Sequence, residues 1–322
     1  MNLLILTDPK VGVHDPVFGY GQDSCALFRE ASWSDLVKDP SHLFIDFTTP
    51  DNEQVLSSKV WDIIIVYNAL EAYLANRFKL KGRPWICVAS FHVEDLHVFY
   101  QTSIPSADMG IDVILTNCRP FVESASPHIP VKFMWPPIDS VDKTDVFDYP
   151  LGTYVPDVFD RDFSLLEYCA GYLESKGLLD KLVVVAEDRQ ELLTEFPKAV
   201  FTKAVHGAAP SLLDQDRLSF QFYVPVHRVS DILFGCISSD FLYAIACGSY
   251  PIVMDHNKFP LRDWISPSFN SLKSLNIALD HICGFREYEM SVHLPFDVHK
   301  TVQAFIDTVV TAYRRKVDSA AT

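Results

Sequence analysis

Cysteine is thinly spread. The seven cysteines form no Cys-x-x-Cys pair and no zinc-ligand spacing. That pattern fits buried, reduced thiols in a cytoplasmic protein. No run of about 18 apolar residues occurs, so nothing spans a membrane and no membrane partner is expected. The opening stretch MNLLILTDPK lacks a basic n-region and is too short for a signal peptide; it reads as a first strand. No Gly-x-Gly-x-x-Gly fingerprint is present, which disfavours a nicotinamide cofactor. Asp160-Arg161-Asp162 has the form of an Asp-x-Asp metal motif but does not follow the expected strand. No cofactor is therefore required, and a divalent metal is compatible but not indicated. Positive charge is scarce as well. Lys plus Arg number 27 against 42 Asp plus Glu, a net charge of −15. That excludes a generally basic nucleic-acid binder, and any polyanion would need a local basic patch.

A chain of 322 residues with 48% hydrophobic content is folded and long enough for two domains. Strands are expected at 3–6, 43–47, 62–67, 85–89, 112–116 and 131–135. Most are continuous apolar runs, the mark of parallel sheets covered on both faces. The tandem prolines Pro136 and Pro137 end the last of them, and the acidic, aperiodic segment 139–149 reads as a linker. The pattern then restarts. Strands are expected at 152–155, 182–186, 199–202, 232–236 and 250–254, and helices at 164–175, 190–195, 241–246 and 271–282. An amphipathic helix comes last, at 302–315, with fraying from 318 onward. The class is α/β, two Rossmann-like domains facing a cleft. The expected boundaries are 1–140, 141–300 and a C-terminal helix, 301–322, crossing back to the first domain.

Chemistry-bearing residues cluster at a few places. The stretch 238–255, SSDFLYAIACGSYPIVMD, opens on Ser238, Ser239 and Asp240, a capping cluster for a short apolar helix. Gly248 breaks the helix and a buried strand comes after it. Such a helix start is a ready anion site when it faces a cleft, and otherwise an ordinary helix–turn–strand. Gly152 and Thr153 would let backbone approach a phosphate, and Arg161 would pair with it. The alternative there is a capped helix start with an Asp–Arg surface pair. Arg228 lies with Pro225 and His227 between expected elements. In the first half, His92, Glu94 and Asp95 crowd the carboxyl end of an expected strand, where this architecture places acids and bases. A polar helix start is the competing reading. Gly19 and Tyr20 belong to a long glycine-bearing loop after the first strand. Arg77, Lys79, Lys81 and Arg83 form the densest basic cluster, fit to meet phosphates or to solvate a helix end.

The segment 244–253, AIACGSYPIV, resembles the "ALAxGxxPV" signature of GT-B glycosyltransferases, in which this region binds the nucleotide-sugar donor. The order of features is most similar to the phage DNA β-glucosyltransferases. Those carry a lysine-rich patch before the strand bearing the catalytic Asp, as Arg77, Lys79, Lys81 and Arg83 precede 85–89. That Asp has no exact match here; His92, Glu94 and Asp95 stand within a few residues of its place. Arg161 matches an Arg-bearing loop early in the second domain. Asp240, Tyr243 and Ala244 stand where the family has Arg and Glu, a departure that points to a different sugar. The resemblance implies a hexosyl- or pentosyltransferase moving a sugar from a UDP-sugar to a hydroxyl, with inversion. Donor contacts would come from Gly152, Thr153, Arg161, Arg228, Ser238, Ser239, Asp240 and Tyr243. His92, Glu94 or Asp95 would act as base, and Gly19, Tyr20 and the basic cluster would meet the acceptor. Double-stranded DNA with a hydroxymethylated pyrimidine fits the likeness; a glycan or small molecule fits the charge. A non-catalytic sugar- or nucleotide-binding module, and a nucleotide-sugar epimerase on the same fold, are the readings of other kinds.

Overall fold

The computed structural model describes residues 1–7, 33, 36–37, 41–44, 50–67, 69–84, 86–91, 110–124, 129–138, 147, 149–155, 161–186, 220–227, 229, 232, 235–236, 239–254, 264–284 and 288–322. At 41–44, 50–52, 71, 86–91, 120, 124, 185–186 and 239–240 it describes the backbone alone. In chain order the elements are β1 (Leu3–Thr7), β2 (Ser41–Phe44), α1 (Pro50–Ser58), β3 (Ile63–Tyr67), α2 (Leu70–Asn76), β4 (Ile86–Phe91), β5 (Val113–Thr116), α3 (Arg119–Ser124) and β6 (Val131–Phe133). Next come β7 (Tyr149–Val155), α4 (Ser164–Ser175), β8 (Leu182–Ala186), β9 (Phe220–Tyr223), α5 (Ser239–Ala246), β10 (Tyr250–Pro251), β11 (Ile265–Ser266), α6 (Leu272–Cys283), β12 (Ser291–Val292) and α7 (Thr301–Ala321). The described residues fall into two compact units, one up to 138 together with 300–322, the other 147–299.

The first unit holds a six-stranded sheet in the order β2-β1-β3-β4-β5-β6. Every pairing in it is parallel. β1 and β3 are buried at every position, as a sheet covered on both faces requires. Helix α7 belongs to this unit. It buries Val302, Phe305, Ile306, Val309 and Val310, spaced three and four apart on one face. The Phe305 ring meets Tyr67 edge-on at 6.4 Å, and Thr301 Oγ1 accepts the Ile138 N–H at 3.0 Å. The helix runs to Ala321, past the point where fraying is expected; Ala320 and Ala321 are strong helix formers.

The second unit holds a four-stranded sheet, β10-β9-β7-β8, again parallel throughout. Leu151, Val155, Leu182, Val184, Phe222 and Val224 share one core with residues of α4 and α6. Two hydrogen bonds join those helices, Tyr168 Oη to Asn276 Oδ1 at 2.8 Å and Tyr172 Oη to the Asp280 carboxylate at 3.0 Å. Ser271 and Ser274 close a capping box at the start of α6. Two expectations change here. The strand expected at 232–236 is not seen in its described residues: Ile232 is helical and Gly235 turns at φ 64°, a geometry no strand adopts. The strand expected at 250–254 is paired only over Tyr250–Pro251, with a single bridge from Met254 to Phe269 beyond it. The strand expected at 199–202 and the helix expected at 190–195 lie outside the described residues.

Cys169 and Cys283 are buried in this core. Burial pushes both thiols from the ordinary 9.0 up to about 12, with smaller pushes from Cys283 on Cys169 and from Asp280 on Cys283. Both should therefore resist alkylation by iodoacetamide in the native state at pH 8 and react once the chain is unfolded, as tracked by mass spectrometry. The same shifts set a sign for stability. Below about pH 9 neither state ionises, and between 9 and 12 the unfolded thiols lose protons first, so stability falls as pH rises.

Candidate functional site

In an open parallel sheet, ligands bind beyond the carboxyl ends of the strands, where neighbouring connections diverge. In the second unit β7 has β8 on one side and β9 on the other, so the connections diverge there and the crevice expected of such a topology falls between β7 and β9. The segments that leave the carboxyl ends of these two strands decide what the crevice offers.

After β9 the chain stays extended. Val224 N–H donates to Gly152 O at 2.9 Å, and Val224 and Val226 are buried. Arg161, beyond β7 in the chain, reaches this segment. Its Nη1 donates to the Val226 carbonyl at 2.9 Å across 65 residues of sequence. The next N–H, of Asp162, donates to the His227 carbonyl at 2.9 Å. Asp162 Oδ1 in turn accepts the Ser164 N–H at 2.9 Å, which fixes the entrance to α4. Arg161 is thus held by main chain on one side and by a capped helix start on the other. Its partly buried guanidinium is pinned at the carboxyl edge, and the charge it carries is permanent.

Helix α5 points the same way. At its far end Ser249 N–H bonds to Ala244 O and Gly248 N–H to Ile245 O, with Gly248 at φ 96°, a Schellman closure. Ser249 Oγ then donates to Phe220 O at 2.7 Å, so α5 ends beside the first residue of β9. It starts at the other end. Phe241, in its first turn, meets Tyr223 at 6.4 Å and the His227 ring at 5.6 Å, both at or past the end of β9. The helix runs antiparallel to the strand, with its positive dipole end and first N–H groups at the carboxyl edge. A cationic side chain and a helix start therefore converge at one end of one sheet. Each favours an anion, and together they suit a phosphate or diphosphate.

The remaining residues singled out from the sequence are placed differently. Tyr243 is buried within α5. Gly152 lies in mid-strand. A Cβ there would come within 2.3 Å of the Phe220 ring, so strand packing already accounts for the glycine. Thr153 is fully buried in β7, and its Oγ1 has no hydrogen-bond partner among the described residues. Ser239 and Asp240 supply the first backbone turn of α5. Arg228 and Ser238 lie outside the described residues, as do His92, Glu94, Asp95, Gly19 and Tyr20; β4 itself ends at Phe91. The basic cluster sits at the opposite edge of the first sheet from its carboxyl ends. Arg77–Lys79 is a 3-10 turn after α2, and Arg83 lies just before β4 and 3.8 Å from Asp112, which lies just before β5. Lys79 is paired with Glu53, and Lys316 shares Asp112 with Arg83. Read from sequence alone, His227 has no role and 220–223 is no strand. The apolar run from Phe220 to Val226 is the available signal, masked by Pro225.

Neither a protein-family model nor a curated protein sequence matches the chain. Solved structures are similar to it. The Glycosylation Associate Protein (Gap123) complex from Streptococcus agalactiae shares 13% identity over 80% of this chain and 53% of its own, at a TM-score of 0.39. The pneumococcal O-GlcNAc transferase GtfA, in complex with UDP and GlcNAc, shares 12% over 80% and 53%, at 0.40. The calicheamicin glycosyltransferase CalG4 shares 11% over 99% and 97%, at 0.37. The chain spans about half the length of the first two. At these values the chemistry has to be read from the residues themselves.

Proposed function

We propose that the protein is a glycosyltransferase that moves a sugar from a UDP-sugar donor to the hydroxyl of a glycan or small molecule. The observation that carries this reading is the meeting of Arg161 and the first turn of α5 at the β7–β9 crevice, on the helix that leads into the segment 244–253 resembling the GT-B donor signature. The diphosphate lies against the Arg161 guanidinium and the N–H groups of Ser239 and Asp240. These groups hold the charge that grows on the leaving oxygen as the bond from the anomeric carbon to UDP breaks. The acceptor oxygen forms the new bond from the opposite face, inverting that carbon. Its proton passes to a base drawn from His92, Glu94 and Asp95. With the leaving group met by a guanidinium and a helix start, the reading assigns no metal to the step. His227 is a positioning residue: its carbonyl holds Asp162, and its ring rests on Phe241.

The net charge of −15 favours a glycan or small-molecule acceptor over the duplex DNA that the family resemblance would supply. Incubation with a panel of UDP-sugars and hydroxyl acceptors tests the reading. UDP release that requires an acceptor supports it. UDP-sugar binding without turnover across the panel leaves a binding module instead, and conversion of the donor with no acceptor present leaves an epimerase.

A further inference from the structure

The basic cluster absorbed by no step above has a surface of its own. Phe78 is 76% exposed and Val60 48% exposed, large apolar groups left in water at the amino edge of the first sheet. Cations surround them. Lys79 Nζ lies 5.8 Å from the centroid of the Phe78 ring. A Cβ at Gly82 would lie 3.9 Å from both Val60 methyls, which places Lys81 and Arg83 beside Val60. Lys59 precedes Val60, its Nζ 4.5 Å from the Trp61 ring centroid. Lys316 joins through Asp112. Lys79 pairs with Glu53, and Arg83 and Lys316 share Asp112, so three of these cations meet two carboxylates on a chain of net charge −15. The Arg83 side chain is 73% exposed and Lys81 is exposed.

We propose that this edge docks on an anionic lipid bilayer surface. The chemistry divides the labour: cations meet anionic headgroups, while Phe78 and Val60 enter the boundary between headgroups and acyl chains. A duplex nucleic acid would satisfy the cations and leave the two apolar groups in water, which is why the bilayer is the better fit. The absence of any helix able to cross a membrane among the described residues is compatible, since a docked protein lies on the surface. Each Lys or Arg near an anionic leaflet strengthens binding by about fivefold, and added salt weakens it.

The test is co-sedimentation with phosphatidylcholine vesicles that contain or lack phosphatidylserine, run beside a duplex DNA filter-binding arm at the same salt. The expected result is binding to the phosphatidylserine vesicles alone. It should weaken about twenty-five-fold in a Lys81→Gln/Arg83→Gln variant and measurably in Phe78→Ala, with UDP binding unchanged in both. These are exposed positions, and unchanged melting temperatures show that the variants fold. Equal binding to both vesicle types, no vesicle binding, variants that bind like the parent, or tighter binding to DNA than to vesicles would each overturn the proposal. UDP binding in the same samples reports separately on the donor site.

Discussion

Arg161→Ala should weaken UDP binding by about tenfold to a hundredfold, the loss of a charge-assisted contact of roughly 1.5–3 kcal/mol. The guanidinium is already ordered by the Val226 carbonyl at 2.9 Å, so little conformational freedom remains to be lost when an anion arrives. Lys should not substitute. An ammonium is a point charge without the planar fork that lets one nitrogen hold the carbonyl while others face the ligand. Isothermal titration calorimetry of UDP against the parent, Arg161→Ala and Arg161→Lys reads this directly. A UDP affinity unchanged in Arg161→Ala would remove Arg161 from the donor site. Thermal melting separates that outcome from partial unfolding, because Asp162 and its bond to the His227 carbonyl stay in place.

Gly152→Ala should lower the stability of the second unit. The added Cβ would lie 2.3 Å and 2.5 Å from two atoms of the Phe220 ring and 2.9 Å from a third. The ring cannot retreat cheaply. Phe220 is buried, and its carbonyl accepts Ser249 Oγ at 2.7 Å, which ties β9 to the end of α5. Overpacking of this kind costs about 1–3 kcal/mol, read as a fall in the urea midpoint. Phe220→Ala alone should also destabilise, by cavity formation. The double variant should be more stable than the sum of the two losses, because each substitution removes what the other collides with. Strict additivity would mean that glycine and ring do not compete for the same space.

Much of this architecture is visible in the chain. The runs expected at 3–6, 62–67 and 112–116 fall on β1, β3 and β5, because a strand buried on both faces has no polar alternation to blur it; the run expected at 131–135 falls on β6, which is only partly buried. The helix expected at 164–175 is α4, and that expected at 271–282 is α6 shifted by one residue, its start marked by Ser271. What stayed hidden has physical causes. Pro225 hid β9, since a proline argues against a central strand; it stands just past the last paired residue, Tyr223, where no ladder bond is needed. The apolar run at 232–236 resembles a strand until Gly235 turns. The site was half legible. Arg161 and the α5 start were readable as local motifs, but their meeting depends on contacts 65 residues apart, and no local pattern encodes that. Gly152 reads from sequence as an opening for a phosphate and in the structure as room for Phe220.

The proposed chemistry stands or falls on an anion sitting where Arg161 and the first turn of α5 converge. A crystal structure of the protein with UDP bound measures that outright. Diphosphate oxygens should lie within hydrogen-bond reach of the Arg161 guanidinium and of the backbone N–H groups at the start of α5. Well-defined UDP elsewhere on the second unit, with no diphosphate oxygen near Arg161, would contradict it.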